Sequence, residues 1–354
     1  MARILIATGG TGGHIYPALA VGEHLRKLNM QVIFLVRNNK FDIELIKHHQ
    51  FPYCTLPTSG FFNKKFFQLV LFFINFIRAL FIFPYLLIKI KPDAILASGS
   101  FSSLIPVLWA NLLKIRYFLL EQNRIPGRFN KYFSRWAREV YLGFPLAIKL
   151  KGNFIYTGNP LRTTITTTPI KPTCLRKTIL VLGGSQGAQF LNLHAVELAA
   201  LLADYQFIIQ TGQKHYEQTK KLVKSNNCQL ISFTPHPEEL YQQANVVITR
   251  AGGMVLSEIL FFGIPSIVIP YPFATDNHQA ANAQFLSHNN AAIILNQPRQ
   301  QGLSLEFLEK LKDTLLTLLN DTSRLNAMSQ AALKLAPLNA AQTIAQRISL
   351  CLPE

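Results

Sequence analysis

Short apolar runs bounded by polar or turn-forming residues recur along the chain, and such runs are typical of buried parallel β-strands. In the first half they fall at residues 3–7, 31–36, 93–97 and 116–120. In the second half they fall at residues 178–182, 207–210, 229–233, 246–249 and 266–269. Helical patterns alternate with these runs, at residues 18–28, 305–319, 322–336 and 340–352. This alternation predicts an α/β protein with doubly wound parallel sheets.

A Thr- and Pro-rich stretch at residues 158–177 interrupts this pattern and is typical of a linker between domains. The alternation restarts directly after it. We therefore expect two tandem domains, residues 1–160 and 161–337, with a cleft between them. A last helix within residues 338–354 is expected to pack back on the first domain.

One apolar segment, residues 61–92, holds nine of the 26 Phe residues and has lysines at both flanks. Arg78 divides it into uncharged runs of 12 and 10 residues, whereas a membrane-spanning helix needs about 20. Pro84 is expected to interrupt a helix. Two interpretations stay open: a pair of buried helices, or a partly exposed apolar surface that lies on an anionic bilayer. The high apolar content favours lipid contact.

The net charge of +17 is concentrated in one half of the chain. Residues 1–160 hold 20 Lys and Arg against 6 Asp and Glu, whereas residues 161–354 hold 15 against 12. This excess suggests an anionic partner. The sequence has no RRM, KH or helix-turn-helix signature, so we expect no nucleic-acid partner.

The cysteines and the N-terminus predict the compartment. The four cysteines include no C-x-x-C pair and no set with zinc spacing, which predicts reduced thiols and no metal site. The sequence begins without the apolar run of a signal peptide, so we expect a cytosolic protein.

Three predicted strands are followed by Gly/Ser loops that lead into helices, at residues 7–14 (ATGGTGGH), 98–103 (SGSFSS) and 183–188 (GGSQGA). Glycine lets the backbone approach a ligand closely, and a helix N-terminus offers free N–H groups to phosphate. None of these loops has the Walker A spacing, which disfavours an ATPase, and NAD binding is a second choice because the G-x-G-x-x-G spacing is absent. The loops predict phosphate binding in both domains.

Five motifs occur in an order and spacing that strongly resembles the MurG family: ATGGTGGHIYP (7–17), LEQNRIPG (120–127), GNPLR (158–162), GGSQGA (183–188) and TRAGGMVLSE (249–258). That family moves N-acetylglucosamine (GlcNAc) from UDP-GlcNAc to the MurNAc of lipid I (undecaprenyl-pyrophosphoryl-MurNAc-pentapeptide), which gives lipid II for peptidoglycan. The resemblance runs from Ile4 to the C-terminal helix. It implies a GT-B fold, which has two Rossmann-like domains. The N-terminal domain would bind the acceptor and associate with the membrane, and the C-terminal domain would bind UDP-GlcNAc.

The resemblance also implies an inverting transferase that needs neither metal nor cofactor. It implies a peripheral enzyme on the cytoplasmic face of the inner membrane, with other cell-wall synthesis proteins as candidate partners.

The transfer needs a general base for the acceptor hydroxyl. His14 directly follows the first loop, and an imidazole titrates near neutrality. Glu121 is the alternative, unless its task is to orient Asn123 or the loop. The resemblance further implies leaving-group stabilisation by Ser185 and Arg162, and contacts of Thr234 with uracil, Glu258 with ribose, and Asn123 and Gln279 with GlcNAc. The full set of implied substrate-binding residues is Thr11, Gly12, Gly13, Asn123, Arg162, Ser185, Gln186, Gly187, Thr234, Gly253, Met254, Val255, Leu256, Ser257, Glu258 and Gln279.

The chain departs from the family pattern at two places. Residues 99–106 lack the second glycine, the tyrosine and the later glycine of the family's second loop, and His278 stands where the family has the first of two glutamines. Three other functions stay open: a GT-B transferase with a different lipid or small-molecule acceptor, a nucleic-acid-binding protein, and a sugar-nucleotide epimerase that needs no acceptor.

Overall fold

The structure, a computed structural model, describes residues 1–58, 66–99, 101–170, 177–184, 186–300 and 302–352. The chain forms two compact units. The first is Met1–Arg162 with Asn339–Glu354, and the second is Thr163–Leu338. Each unit is built on one parallel sheet covered by helices on both faces.

In the first unit, the described residues form a seven-stranded parallel sheet. Its strands are β1 (Arg3–Ala7), β2 (Gln31–Arg37), β3 (Tyr53–Leu56), β4 (Ala94–Ala97), β5 (Arg116–Glu121), β6 (Glu139–Leu142) and β7 (Phe154–Tyr156). Their order in the sheet is β3-β2-β1-β4-β5-β6-β7. The strand order reverses between β1 and β4, and α/β sheets bind ligands at the carboxyl ends of the strands that flank such a reversal.

Five helices connect these strands in the described part of the first unit: α1 (Gly12–Lys27), α2 (Lys40–His48), α3 (Phe66–Ile90), α4 (Leu104–Leu112) and α5 (Arg128–Phe133). One face of the sheet packs against α1, with Ile15 and Leu19 in its core. The other face packs against α3 and α4, with Phe83 and Val107 in its core. Helix α1 starts at Gly12, six residues before the predicted start, because the helix grows directly out of the glycine loop.

In the second unit, the described residues form a six-stranded parallel sheet in the order β10-β9-β8-β11-β12-β13. Its strands are β8 (Thr178–Leu182), β9 (Gln206–Gln210), β10 (Cys228–Ile231), β11 (Val246–Thr249), β12 (Ser266–Val268) and β13 (Ala292–Ile294). The surrounding helices are α6 (Thr163–Thr166), α7 (Gln189–Leu201), α8 (Tyr216–Lys220), α9 (Pro237–Tyr241), α10 (Gly253–Phe262), α11 (His278–His288), α12 (Leu305–Asn320) and α13 (Thr322–Lys334). The order of the strands reverses between β8 and β11, so the ligand-binding edge of this sheet carries the GGSQGA and TRAGG loops.

The last helix, α14 (Ala340–Leu350), belongs to the first unit. Its Ile344 and Ile348 are fully buried in the same core as α1. Arg347 on α14 makes two hydrogen bonds to the buried carboxylate of Glu139 on β6, at 2.7 and 2.9 Å. The chain therefore returns to its first unit after completing the second.

The prediction that residues 61–92 form a pair of helices is wrong. Residues 61–65, with Lys64 and Lys65, lie outside the described part of the chain, and the remainder forms the single 25-residue helix α3 with Pro84 inside it. Proline lacks the N–H that would bond the carbonyl four residues earlier, which here belongs to Leu80. The indole N–H of Trp109 on α4 donates to that carbonyl at 3.1 Å instead. A tertiary hydrogen bond therefore replaces the missing helical one, and the helix continues.

The same interpretation required buried helices, but helix α3 is exposed on one side. Ala79, Phe83 and Leu87 face the core, whereas a row of large apolar side chains on the opposite side is 48–75% exposed. The row consists of Ile74, Ile77, Phe81, Tyr85 and Ile88. By length and composition residues 70–90 are apolar enough to cross a membrane, with a mean hydropathy of 2.1.

Candidate active site

The first glycine loop lies at the strand-order reversal of the first sheet. Gly9 and Gly10 have positive φ angles of 131° and 108°, which other residues adopt only with strain. Thr11 is the exposed N-cap residue of α1, and Gly12 and Gly13 form its first turn. The first N–H groups of a helix have no partner inside the helix. This end of α1 therefore presents donors suited to an anion.

The sequence analysis did not identify Arg37 and Asp42, which lie beneath this loop. The buried carboxylate of Asp42 accepts hydrogen bonds from the backbone N–H of Gly10 at 3.3 Å and from Nε of Arg37 at 3.1 Å. Arg37 in turn donates to the carbonyl of Gly10 at 3.0 Å. Helix α2 has an ordinary mixed polar pattern, so only the fold reveals that Asp42 points inward.

His14 occupies the first turn of α1 and is half-buried. Its Nδ1 lies 2.8 Å from the carbonyl oxygen of Ser98, which follows β4. A carbonyl only accepts hydrogen bonds, so Nδ1 carries the proton and Nε2 carries the lone pair of the neutral ring. Burial lowers the pKa of His14 below its usual value, opposed by hydrogen bonding to Ser98 and Gln122, while the charge of Arg37 lowers it further. The lowered pKa favours the neutral form of the ring near pH 7, which can accept a proton at Nε2.

Glu121 ends β5 and is almost fully buried. One carboxylate oxygen accepts from the backbone and side-chain amides of Asn123 at 2.9 and 3.3 Å. The other accepts from the backbone N–H of Gly127 at 3.0 Å and from the side chain of Asn130 at 2.8 Å. Burial raises the pKa of Glu121 and these four hydrogen bonds oppose that rise. The carboxylate is surrounded by local donors and ties together the loop that presents Asn123.

Arg162 also belongs to the first unit. Its guanidinium lies 4.2 Å from the centre of the Tyr16 ring on α1, a cation–π distance. Asn159, in the same GNPLR motif, is buried and donates to the carbonyl of Gln122 at 3.1 Å. The motif is therefore held against both α1 and the loop after β5.

In the second unit, the GGSQGA loop follows β8. Ser185 lies outside the described residues. Gly187 has φ +74°, and a side chain there would meet the carbonyl oxygen of Thr211 at 1.8 Å. A side chain at Gly183 would meet the backbone nitrogen of Ala188 at 2.3 Å. These positions therefore require glycine, because backbone segments pack directly against them.

A cavity of about 470 Å³ opens beside this loop, within the size range of small-molecule sites. Four residues of the predicted set line it: Gln186, Gly187, Val255 and Gln279. Gln279 accepts a hydrogen bond from the backbone N–H of Tyr271 at 2.9 Å, which holds its amide group at the cavity wall. The described lining also includes residues that the sequence analysis did not identify, namely Phe190, His215, Arg250, Tyr271 and Gln297.

Arg250 is the one charged member of this newly found group with a buried side chain. It donates to the carbonyl of Ile269 at 3.0 Å and to the side-chain oxygen of Gln297 at 2.6 Å. Burial lowers the pKa of Arg250 to about 10. In the described part of the chain its hydrogen-bond partners are neutral oxygens, so a cation faces the cavity without a carboxylate beside it. Its place directly after β11 is the signal that could have identified it.

The other predicted residues of this unit that the structure describes are not among those that line the cavity. Five of them are buried in α10: Gly253, Met254, Leu256, Ser257 and Glu258. The carboxylate of Glu258 accepts a hydrogen bond from the hydroxyl of Tyr241 at 2.7 Å, which fixes its orientation. Thr234 follows β10, and its hydroxyl accepts from the backbone N–H of His236 at 3.0 Å.

Comparison with known proteins connects both halves to one enzyme family. Residues 4–142 match the glycosyltransferase family 28 N-terminal domain, and residues 178–348 match the family 28 C-terminal domain. A relative from Methylococcus capsulatus is 36% identical, and the match covers 99% of this chain and 98% of the relative. A relative from Lawsonia intracellularis is 34% identical, with 98% and 96% covered. Both are named UDP-N-acetylglucosamine–N-acetylmuramyl-(pentapeptide) pyrophosphoryl-undecaprenol N-acetylglucosamine transferase.

The crystal structure of Acinetobacter baumannii MurG superposes on this chain with a TM-score of 0.77 at 26% identity, covering 99% of each chain. The two parallel-sheet units and this likeness establish the GT-B fold that the motifs predicted. The matches extend over almost the whole chain and include both glycine-loop domains, so this protein belongs to glycosyltransferase family 28 and, within it, to the MurG family.

Proposed function

We propose that this protein transfers GlcNAc from UDP-GlcNAc to the 4-hydroxyl of MurNAc in lipid I, with inversion, and so forms lipid II for peptidoglycan. The observation that carries this proposal is the near full-length match to transferases named for that reaction, 36% identical over 99% of the chain. The first unit (1–162 with 339–354) is assigned to the acceptor and the second unit (163–338) to the donor.

In the first unit, His14 is the proposed general base. Its neutral ring carries a lone pair on Nε2, and the adjoining N-terminus of α1 offers N–H groups for the acceptor pyrophosphate. Glu121 is the proposed positioning residue, because its carboxylate is engaged by four local donors. It orients Asn123, which we assign to a GlcNAc hydroxyl.

In the second unit, the 470 Å³ cavity is the proposed UDP-GlcNAc site. The tight turn at Gly187 and the N-terminus of α7 suit the diphosphate. Arg250 adds a buried positive charge, and such a charge stabilises the UDP that leaves during transfer. Gln279 reads the sugar and Glu258 the ribose in this assignment. Ser185, in the same loop, is proposed as a further ligand of the diphosphate, and Arg162, which belongs to the first unit, is proposed as a phosphate ligand.

A transfer assay with the full-length protein, radiolabelled UDP-GlcNAc and a lipid I analogue tests the reaction, with and without EDTA. We expect labelled lipid II analogue with an inverted linkage, formed equally in EDTA. Loss of transfer in EDTA contradicts the metal-free mechanism. Transfer to diacylglycerol but not to lipid I identifies a different acceptor, and conversion of UDP-GlcNAc without acceptor identifies an epimerase.

Replacing His14 by Ala tests the base. We expect kcat to fall by about 10²–10⁴-fold, the usual contribution of general base catalysis, with unchanged affinity for UDP-GlcNAc. His24→Ala, on the same helix, is the matched control and keeps its activity. Near-normal turnover of His14→Ala excludes the assignment.

We also propose that the exposed row of α3 docks on the cytoplasmic face of an anionic bilayer. One side of α3 belongs to the domain core, so the helix lies in the membrane interface and does not span it. Arg78 and Lys89 are exposed on the same helix, and Lys91 follows it, which suits anionic headgroups. Cell-wall synthesis proteins on the same membrane are candidate partners.

Flotation with phosphatidylglycerol vesicles tests this docking. Phe81 and Tyr85, 75% and 64% exposed, are each replaced by Ser. Binding is expected to weaken roughly tenfold or more per residue, since burying such a side chain contributes about 1.5–3 kcal/mol. Leu350→Ser, at an 86% exposed position on α14, is the control and binds normally. Unchanged binding of both α3 variants contradicts the proposal.

A further inference from the structure

The ion pair of Arg37 and Asp42 connects the end of β2 and the start of α2 to the first glycine loop. The two side chains bond at 3.1 Å, with Asp42 fully buried and Arg37 25% exposed. Together they take up both backbone groups of Gly10, its N–H at 3.3 Å and its carbonyl at 3.0 Å. A charged pair in direct contact with the turn thus fixes its path from below.

The same pair explains a glycine of the motif. A side chain at Gly9 would lie 2.6 Å from the carboxylate of Asp42, 3.3 Å from the hydroxyl of Ser102 and 3.5 Å from Cγ of Arg37. The carboxylate of Asp42 would overlap such a side chain and the hydroxyl of Ser102 would be tight against it, and the φ of +131° also favours glycine, so the loop follows this course only with glycine there. The loop and the pair therefore form one packed structure.

The loop that this pair contacts leads directly to the proposed base, since Gly10 lies four residues before His14. Among the described residues, Arg37 on β2 and Asp42 on α2 contact the glycine loop, and Arg162 lies over the Tyr16 ring of α1. Glu121 ends β5, two strands away from β1 in the sheet. The positive charge of Arg37 lowers the pKa of the His14 ring, in addition to the larger effect of burial. A fixed positive charge disfavours a second one nearby.

We propose that Arg37, held by Asp42, is a positioning residue of the transfer reaction: it fixes the first glycine loop beside His14 and keeps a positive charge next to the base. This inference rests on the proposed function, since it assigns His14 as the proton acceptor. Asp42 acts through Arg37 and Gly10 and does not touch the substrate.

Arg37→Gln removes the charge, and Arg37→Lys keeps the charge but loses the paired hydrogen bonds. The acid limb of kcat/KM reports the pKa of the essential base in the free enzyme. Without Arg37 the pKa of His14 rises, so more of the ring is protonated at a given acid pH. The limb is therefore expected to move to higher pH in Arg37→Gln and to stay in place in Arg37→Lys.

Both variants are expected to lose kcat by about 10- to 100-fold at the pH optimum, because a shift of about 1 Å in a reacting group can cost about 10²-fold. The KM for UDP-GlcNAc, which binds in the second unit, is expected to stay unchanged. Lys40→Gln, at an exposed position on α2, is the control and keeps both the wild-type limb and rate.

A second readout does not depend on transfer. The ring of His14 is titrated by NMR in full-length protein labelled at histidine, with His14→Ala identifying its signal. A midpoint that is the same in folded Arg37→Gln as in wild type overturns the inference, as does a wild-type kcat in Arg37→Lys. Failure of the wild-type protein to make lipid II overturns the proposed function instead, and the NMR titration still decides whether Arg37 acts on His14.

Discussion

The hydrogen bond from Trp109 to the carbonyl of Leu80 makes a sharp prediction about helix α3. Trp109→Phe keeps an aromatic ring but removes the donor, so the carbonyl left without a helical partner by Pro84 loses its substitute. An unsatisfied buried polar group costs about 1–3 kcal/mol. Leu80 and Trp109 are half-buried, and water reaches such sites in part. We therefore expect the hydrogen bond to contribute about 1–2 kcal/mol to the free energy of unfolding.

Pro84→Ala separates this effect from the loss of ring volume. Alanine restores the N–H that bonds the carbonyl of Leu80 within the helix, so Trp109→Phe becomes less harmful in its presence. The double variant is expected to be more stable than the sum of the single changes, by about 1–2 kcal/mol. Pro84→Ala alone is expected to be neutral or stabilising, because proline disfavours a helix interior by about 3 kcal/mol relative to alanine.

Urea unfolding followed by far-UV circular dichroism measures the four proteins of this cycle. The two units can unfold in separate transitions, so the transition that responds to Trp109→Phe is fitted. Trp136→Phe is the matched control, since this 43% exposed indole is expected to combine additively with Pro84→Ala. Additivity of Trp109→Phe and Pro84→Ala within about 0.5 kcal/mol refutes the reasoning.

Three further predictions concern the loops and the last helix. Gly187→Ala should abolish UDP-GlcNAc binding in calorimetry, because its side chain would overlap a carbonyl at 1.8 Å. Gly184→Ala, with φ +82° but open space around the added side chain, should cost only about 1–2 kcal/mol of stability. An equal loss of UDP-GlcNAc binding in the two variants contradicts this distinction. Glu121→Gln should lower kcat without moving the acid limb of the pH profile of kcat. Disappearance of that limb identifies Glu121 as the base. Burial favours the neutral form of Glu139, but Arg347 lowers its pKa overall. This pair therefore stabilises the protein above the unfolded pKa of glutamate and less as pH falls through the folded one. Arg347→Ala, which removes a partner that is 38% exposed, should cost about 1–2 kcal/mol near neutral pH and flatten the acid dependence of urea unfolding.

The strands next to the glycine loops could be predicted well from the sequence. Strands β1, β8 and β11 were predicted with the bounds that the structure has, because a strand buried on both faces requires a continuous apolar run. Strands β3, β6, β7 and β13 were not identified. Three of them, β3, β7 and β13, lie at sheet edges and are only partly buried, so they do not require a continuous apolar run. The buried strand β6 (EVYL) begins with the charged Glu139.

The residues of the candidate site likewise fall into those that the sequence could predict and those that it could not. Glycine loops, His14 and Glu121 are visible in the sequence because special backbone geometry and a carboxylate at a strand end leave local signals. Asp42 has no such pattern in the primary structure, since its role comes from burial beside another segment of the chain. Arg250 has a local signal in its place directly after β11, but its burial and its hydrogen bond to Gln297 depend on the fold.

The sequence by itself determined the class of the protein: alternating buried strands and helices, three Gly/Ser loops after strands, and the motifs of one enzyme family. Only the tertiary structure decided what each polar group does. It paired Glu121 with four donors, bound Arg37 to Gly10 in the loop that leads to His14, and let α3 continue through Pro84 with a hydrogen bond from Trp109. The physical reason is that strand and turn formation depend on neighbours along the chain, whereas burial and hydrogen-bond partnership depend on segments that only the fold brings together.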